Sequence, residues 1–202
     1  MTPSDALSAV RSADAELAEA GLGPFPLPMG ALAPVVAGTV SALQASDWWL
    51  PGLRERAGAV LREVPVDRLT AGDHGAKPYG VAPSGASPAL RALYAVGMAT
   101  AERPAVVHLG IGSASDGALH EALNLAALLA APVLFVVAVQ PLSGDAPLGP
   151  QLAAKPTALA AGFGIATTEV DGSDVTAVHS AVKAARRAGG PHLIEAQLPE
   201  QA

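Results

Sequence analysis

The second half of the chain alternates short apolar runs with helical segments, and this rhythm constrains the fold more than any other feature. AVVHLGIG (105–112), PVLFVVAV (132–139), GIATTEV (164–170) and HLIEAQL (192–198) read as strands. Helical patterns fill the gaps at 115–130, 151–163 and between 171 and 190. PVLFVVAV has no polar residue, which suits a strand buried on both faces of a sheet. Strands that alternate with helices of this length imply βαβ units and a parallel sheet. The expected class is therefore α/β, a three-layer parallel sheet with helices on both faces. A length of 202 residues favours one domain. Residues 1–45 would form an N-terminal helical region and linker, and 46–202 the α/β unit.

The first half is less regular. Residues 4–20 carry Leu7, Val10 and Leu17 at helical spacing, with Ser4 as a possible cap and Gly21 as a stop. GLGPFPLPMG (21–30) is a turn-rich linker. A helix is expected from about Ala31 to Ala45, and another within 46–69, with Pro51 near its start. Residues 70–88, rich in Gly, Pro and Ser, should be loop, and 89–101 helix again. In the last helical segment the Val175–Val178–Val182 stripe faces the core and Gly189-Gly190 ends it.

Composition removes several functional classes. Half of the residues are hydrophobic and 15% are charged, so a compact core is expected. The net charge of -6, with Arg186-Arg187 the only adjacent basic pair, leaves no basic stripe to neutralise phosphates, and no nucleic-acid partner is expected. The absence of Cys removes disulfides, thiolate nucleophiles and Cys-ligated zinc. The start, Met-Thr-Pro-Ser-Asp, shows no signal peptide, and the cytoplasm is the expected location. Leu119–Val139 is long enough for a membrane span, but His120, Glu121, Asn124 and Pro132 interrupt it, so a helix followed by a strand reads better.

Chemistry is expected at Gly110-Ile111-Gly112, a glycine turn between a strand and a helix. In a parallel sheet such turns offer backbone N–H groups and a positive helix terminus to ligands. A dinucleotide fingerprint needs G-x-G-x-x-G, but the third glycine, Gly117, comes two positions late. His120-Glu121 is followed by Asn124, so H-E-x-x-H is absent, and both read as partly buried structural residues. His74, His108, His179 and His192 show no ligand spacing. Ser115 lacks the glycine of a nucleophile elbow. Trp48-Trp49 would anchor either a core or an interface. No catalytic residue and no metal ligand emerge.

The stretch GIGSASDGALHEALNLAALLAAPVLFVVAVQ (110–140) resembles the diphosphate-binding motif of the alpha subunits of thiamine-diphosphate-dependent 2-oxoacid (pyruvate or branched-chain) dehydrogenases. That motif runs from Gly-Asp-Gly through a His-Glu-Ala-Leu-Asn helix and a Pro-Val-x-Phe-Val strand to Asn-Asn. Gly112, Ser115, Gly117, His120 to Asn124, Ala126, Ala127, Pro132, Val133, Phe135 and Val136 match without a gap. VDGSDVTAVHSAVKAARRAGGPHLIEAQ is similar to the family's Val-Asp-Gly-x-Asp helix and Gly-Pro-x-Leu-Ile-Glu strand. SDWWLPGLRERAGAVLREVPVD and GASPALRALYAVGMA resemble its upstream segments, so the likeness spans about 45–198. It implies the thiamine-diphosphate-binding fold, and in the family the cofactors are thiamine diphosphate and magnesium.

The departures from the motif shape the functional expectation. In the family the Asp of Gly-Asp-Gly and the second Asn of Asn-Asn bind the magnesium that bridges the diphosphate. Those positions are Ile111 and Gln140 here. Magnesium needs hard oxygen ligands in octahedral geometry; Ile offers none and Gln one. Of the Tyr-Arg pair that contacts the diphosphate, Arg54 remains beside Leu53, and the following His is Arg56. The stretch between Arg54 and Gly85 is shorter than in the family, and the sequence stops after LIEAQ, where the family continues into a loop over the active site. Arg54, Gly110, Ile111, Gly112 and Gln140 are thus a degenerate remnant of a cofactor site, and no bound cofactor is expected. The expected role is a structural or regulatory partner subunit, a homodimer and/or a heteromer with a beta-type dehydrogenase subunit. The alternatives are an active oxidoreductase alpha subunit with an atypical site, or a small-ligand module reusing the glycine turn.

Overall fold

The computed structural model describes residues 1–20, 29–71, 75–84, 87–101, 103–140, 142–143, 146–147 and 152–199. Five strands form one parallel sheet: β1 (Trp48–Leu50), β2 (Ala105–Gly110), β3 (Val133–Val139), β6 (Ala166–Asp171) and β7 (His192–Gln197), in the order β1-β2-β3-β7-β6. Two-residue strands β4 (Leu142–Ser143) and β5 (Ala146–Pro147) pair separately and antiparallel. The helices are α1 (Pro3–Glu19), α2 (Ala33–Ser41), α3 (Val66–Thr70), α4 (Pro88–Ala101), α5 (Gly117–Leu128), α6 (Pro156–Gly162) and α7 (Val175–Ala188). The α/β three-layer expectation holds.

Alternation along the strands sorts side chains into two cores. Trp49, Val106, Leu134, Val136 and Ile194 face a layer built on α1, α2 and α7, where Val10, Val36, Val178 and Val182 pack. Trp48, Val107, Leu109, Phe135 and Leu193 face a layer built on α4, α5 and α6, where Ala92, Val96, Leu119, Leu123 and Ala160 pack. β3 is buried along nearly its whole length, as its unbroken apolar run requires. No described helix is long and apolar enough to cross a membrane; the Leu119–Val139 stretch is α5 followed by β3.

The structure corrects the reading of 46–69. Instead of a helix near Pro51 it shows β1, then a 3₁₀ helix over Arg56–Arg62, then α3. Trp48-Trp49-Leu50 is too short to show a period, and Pro51-Gly52 ends it. The segment expected as loop also pairs with β1: Trp49 N–H donates to Gly80 O (2.8 Å) and Ala82 N–H to Trp49 O (2.9 Å). α1 is capped by Thr2 rather than Ser4, with Asp5 completing a capping box. His120 and Glu121 are exposed, not partly buried. Both tryptophans belong to the core. Gly21 and His74 lie outside the described residues.

A buried polar cluster fixes β1 against the opposite layer. Asp47 is fully buried and pairs with Arg186 of α7 through Nε and Nη2, and it accepts Gln44 N–H (2.8 Å). Arg62 donates to four carbonyls, Tyr79 O, Gln44 O, Ala45 O and Asp47 O, at 2.7–3.0 Å. Burial lowers the Arg62 pKa, against the attraction of Asp47. His108, on β2, is 2% exposed and lies edge-on to Trp49 at 6.0 Å. Burial, with a smaller repulsion from Arg91, pushes its pKa down to about 3.

Two outcomes follow from these groups. Replacing one partner of a buried pair strands the other charge, so Arg186→Met should cost about 3–5 kcal/mol in urea unfolding, and adding Asp47→Asn should recover part of that loss. His108 is neutral when folded and ionises near 6.5 when unfolded, so its contribution is complete above pH 6.5 and is lost as pH falls toward 3. Between pH 6.5 and 4.5 the loss should reach roughly 2–3 kcal/mol. His108→Leu should flatten that part of the stability profile, and an unchanged slope would refute the assignment.

Candidate functional site

The sheet's carboxyl edge is where its connections diverge. β2 and β3 lead to helices on one face, β6 to α7 on the other, and ligands of such sheets bind in the crevice at this point. β2 ends at Gly110, whose backbone is extended and open on one side, since an added Cβ would meet nothing within 4 Å. The chain then winds into a 3₁₀ turn, Ile111–Ser115. Asp116 caps α5 by accepting Ala118 N–H (2.9 Å), as its acidic side chain at a helix start favours. Ser115 Oγ donates to Gly112 O (2.9 Å) and tightens the turn.

The sequence-predicted residues share this edge but not one cluster. Gly110, Ile111 and Gly112 are contiguous. Gln140 follows β3, two residues beyond Ala138, the register partner of Gly110. Arg54 follows β1, on the other side of β2. Ile111 is 3% exposed and packs into the apolar layer with Leu109 and Ala114. Arg54 is half-buried, and its buried Nε has no hydrogen-bond partner. Its neighbour Glu55 is buried, and the Glu55 carboxylate and the Arg91 guanidinium converge over Gly52. Arg91, 5% exposed, also donates to His108 O (3.2 Å). Burial lowers its pKa while Glu55 holds it up. This pairing moors the loop after β1 to α4 and β2.

An open cleft of about 480 Å³ lies over the ends of β3, β7 and β6, lined by Ile111, Val139 and Leu152 and by Lys155, Glu169, Glu195 and Gln197. Glu169 and Glu195 are register partners on adjacent strands. Glu195 is 1% exposed; its carboxylate accepts Thr157 N–H (3.1 Å) and Gln197 Nε2–H (2.7 Å). Lys155 reaches Glu169 at 3.4 Å on the exposed rim. Sequence reasoning missed these polar residues. Glu195 and Gln197 are legible in hindsight as polar residues at alternate positions of an apolar strand, whereas Lys155 and Glu169 gave no signal.

This donor set does not fit a magnesium–diphosphate group. The corner that would need a carboxylate is an alkyl side chain turned into the core, and Gln140 adds one carbonyl oxygen where magnesium wants an octahedron of oxygens. Among the described residues no group of three His, Asp or Glu side chains could hold a metal ion.

Residues 28–198 match the family described as "Dehydrogenase E1 component". The 3-methyl-2-oxobutanoate dehydrogenase subunit alpha of Mycobacterium tuberculosis is 33% identical over 177 residues, 79% of this chain and 48% of that protein. The human mitochondrial 2-oxoisovalerate dehydrogenase subunit alpha is 37% identical over 117 residues, 54% of this chain and 25% of that protein. The chain thus spans about half the length, or less, of these relatives. Transketolase from Campylobacter jejuni superposes with a TM-score of 0.73 at 16% identity, over 96% of this chain and 37% of that one. Transketolase from Leishmania mexicana gives 0.73 at 17%, over 98% and 37%. At such identity these two share the fold alone. The alignment of 110–140 and the parallel sheet beneath it therefore have one origin: the chain belongs to the dehydrogenase E1 component family and has the thiamine-diphosphate-binding fold of the 2-oxoacid dehydrogenase alpha subunits.

Proposed function

We propose that this chain is a degenerate homologue of the 2-oxoacid dehydrogenase alpha subunit, a pseudoenzyme that serves as a structural or regulatory partner subunit and does not bind magnesium thiamine diphosphate. The observation that carries the reading is Ile111, buried in the apolar layer at the position where the motif has its metal-binding Asp. The second metal-binding position of the motif, which is Gln140 here, offers one carbonyl oxygen and supports the same reading. Its relatives are named as alpha subunits; pairing with a second copy, with a beta-type subunit or with both is the corresponding assembly.

A second reading draws on Arg54. A half-buried guanidinium whose Nε has no hydrogen-bond partner near an open glycine turn could take a phosphate, giving an oxidoreductase alpha subunit with an atypical site. Titration calorimetry separates the two. With thiamine diphosphate and magnesium, no saturable heat is expected up to millimolar ligand, and micromolar binding would favour the second reading.

The site's departures are spread over several elements, so one reversion should not repair it. Ile111→Asp buries a carboxylate in an apolar layer and should cost about 2–4 kcal/mol of stability, without conferring cofactor binding or activity. A single revertant that binds the cofactor in the same titration would sink the proposal.

A further inference from the structure

Glu195 is a buried acid that the fold leaves without a counter-ion. Leu193 of β7 packs in the layer of α4, α5 and α6, and strand alternation puts Glu195 and Gln197 on the same face. Glu195 is 1% exposed. Its carboxylate accepts two neutral donors, Thr157 N–H (3.1 Å) and Gln197 Nε2–H (2.7 Å). Among the described residues no cation pairs with it. Lys155 is engaged with Glu169 on the exposed rim (3.4 Å), and the stretch 141–154 contains no Lys, Arg or His. A buried charge that lacks an opposite charge is costly, and an apolar residue at this position would pack at no such cost. Gln197 gives its amide N–H to Glu195, which leaves its side-chain carbonyl oxygen as a second acceptor.

Both groups border the open cleft of about 480 Å³, whose apolar wall is Ile111, Val139 and Leu152. Small-molecule sites combine such a wall with a few convergent polar groups, in volumes of about 300–1,000 Å³. Of the remnant cofactor residues, Ile111 lines this cleft, while Arg54, Gly110, Gly112 and Gln140 do not. We infer that the cleft binds a small primary amine, with its ammonium at Glu195 and Gln197 and its alkyl chain against Ile111, Val139 and Leu152. An ammonium brings three donors and no acceptor. It complements a carboxylate beside a carbonyl oxygen and supplies the missing positive charge. A bare metal ion matches less well. Among the described residues no three His, Asp or Glu side chains could hold one, and an ion would leave the apolar wall and most of the volume unused. The inference is independent of whether thiamine diphosphate binds.

Pentylamine titrated into the isotopically labelled full chain, followed by amide NMR, tests it. Saturable shifts at Thr157, Glu195 and Gln197 are expected, with a Kd of about 0.1–1 mM. Pentanoate, which has the same chain and no ammonium, should leave those amides unmoved. Glu195→Gln keeps the side chain's shape and an acceptor for Thr157 N–H, and should weaken amine binding at least about tenfold. Leu152→Lys places a tethered ammonium at the half-buried wall and should block the amine while leaving Glu195 in place, so the test survives if the first variant does not fold. No saturable shift overturns the inference. So does binding that persists in both variants, equal binding of pentanoate, or a response at these amides to magnesium or calcium ions but not to the amine. If Glu195 serves only to anchor the start of α6, the wild type itself will not respond to pentylamine. Thiamine diphosphate binding in the calorimeter would sink the functional proposal and leave this one standing.

Discussion

The ladder β2–β3–β7 must be covered on both faces, because parallel strands are joined by helices that return across the sheet and their side chains are apolar on both sides. Val106 and Val107, or Phe135 and Val136, point to opposite cores, and neither can face water. Two helical layers are the result: α4, α5 and α6 on one side, α1, α2 and α7 on the other. With both faces occupied, the carboxyl edge remains the place where the connections part. The glycine turn, Gln140 and the acid-lined cleft all lie there, so the location of the site is a consequence of how the sheet is covered.

β1 is the weak member of this arrangement. It has three residues and pairs on one side with β2. Apolar burial of Trp48, Trp49 and Leu50 attaches it to both cores, but the turn that precedes it carries polar groups into the interior. Asp47 and Arg62 resolve that conflict. One guanidinium satisfies four carbonyls of the surrounding loops, and the Asp47 carboxylate reaches across to Arg186 of α7. A buried ion pair adds little net stability over an apolar substitute, yet it penalises any arrangement that separates its partners. Its role here is to fix where the edge strand sits, and with it the loop that carries Arg54.

The strands β2, β3, β6 and β7 were legible because their β-branched runs are bounded by glycine or proline and separated by helix-length gaps. The glycine turn was legible for the same local reasons. β1 was not, because three residues show no period and its partners, Ala105 to Val107, are distant in sequence. The 3₁₀ segment Arg56–Arg62 was misread as ordinary helix since both have charged residues spaced along an apolar background. In the site, Ile111 was legible as a departure from a motif, but its burial came only with the fold. The cleft's polar lining is assembled from β6, β7 and the segment before α6, which no local pattern brings together.

On the proposed reading, the packing of the carboxyl edge makes the change there hard to reverse. Ile111 is an integral part of the apolar layer that holds Leu109, Ala114 and Phe135, so a charged replacement must be desolvated before it can meet any ligand. Gly52, which follows the neighbouring strand β1, is overhung by Glu55 and Arg91, which neutralise each other, and the buried Nε of Arg54 has no hydrogen-bond partner. The cleft on the other flank is dominated by Glu169 and Glu195. On the proposed reading, rebuilding a site for a magnesium-bridged anion would require a new carboxylate in a dry position and a second oxygen ligand beside Gln140. Each change is unfavourable without the others, so on the proposed reading the fold can persist although the site does not.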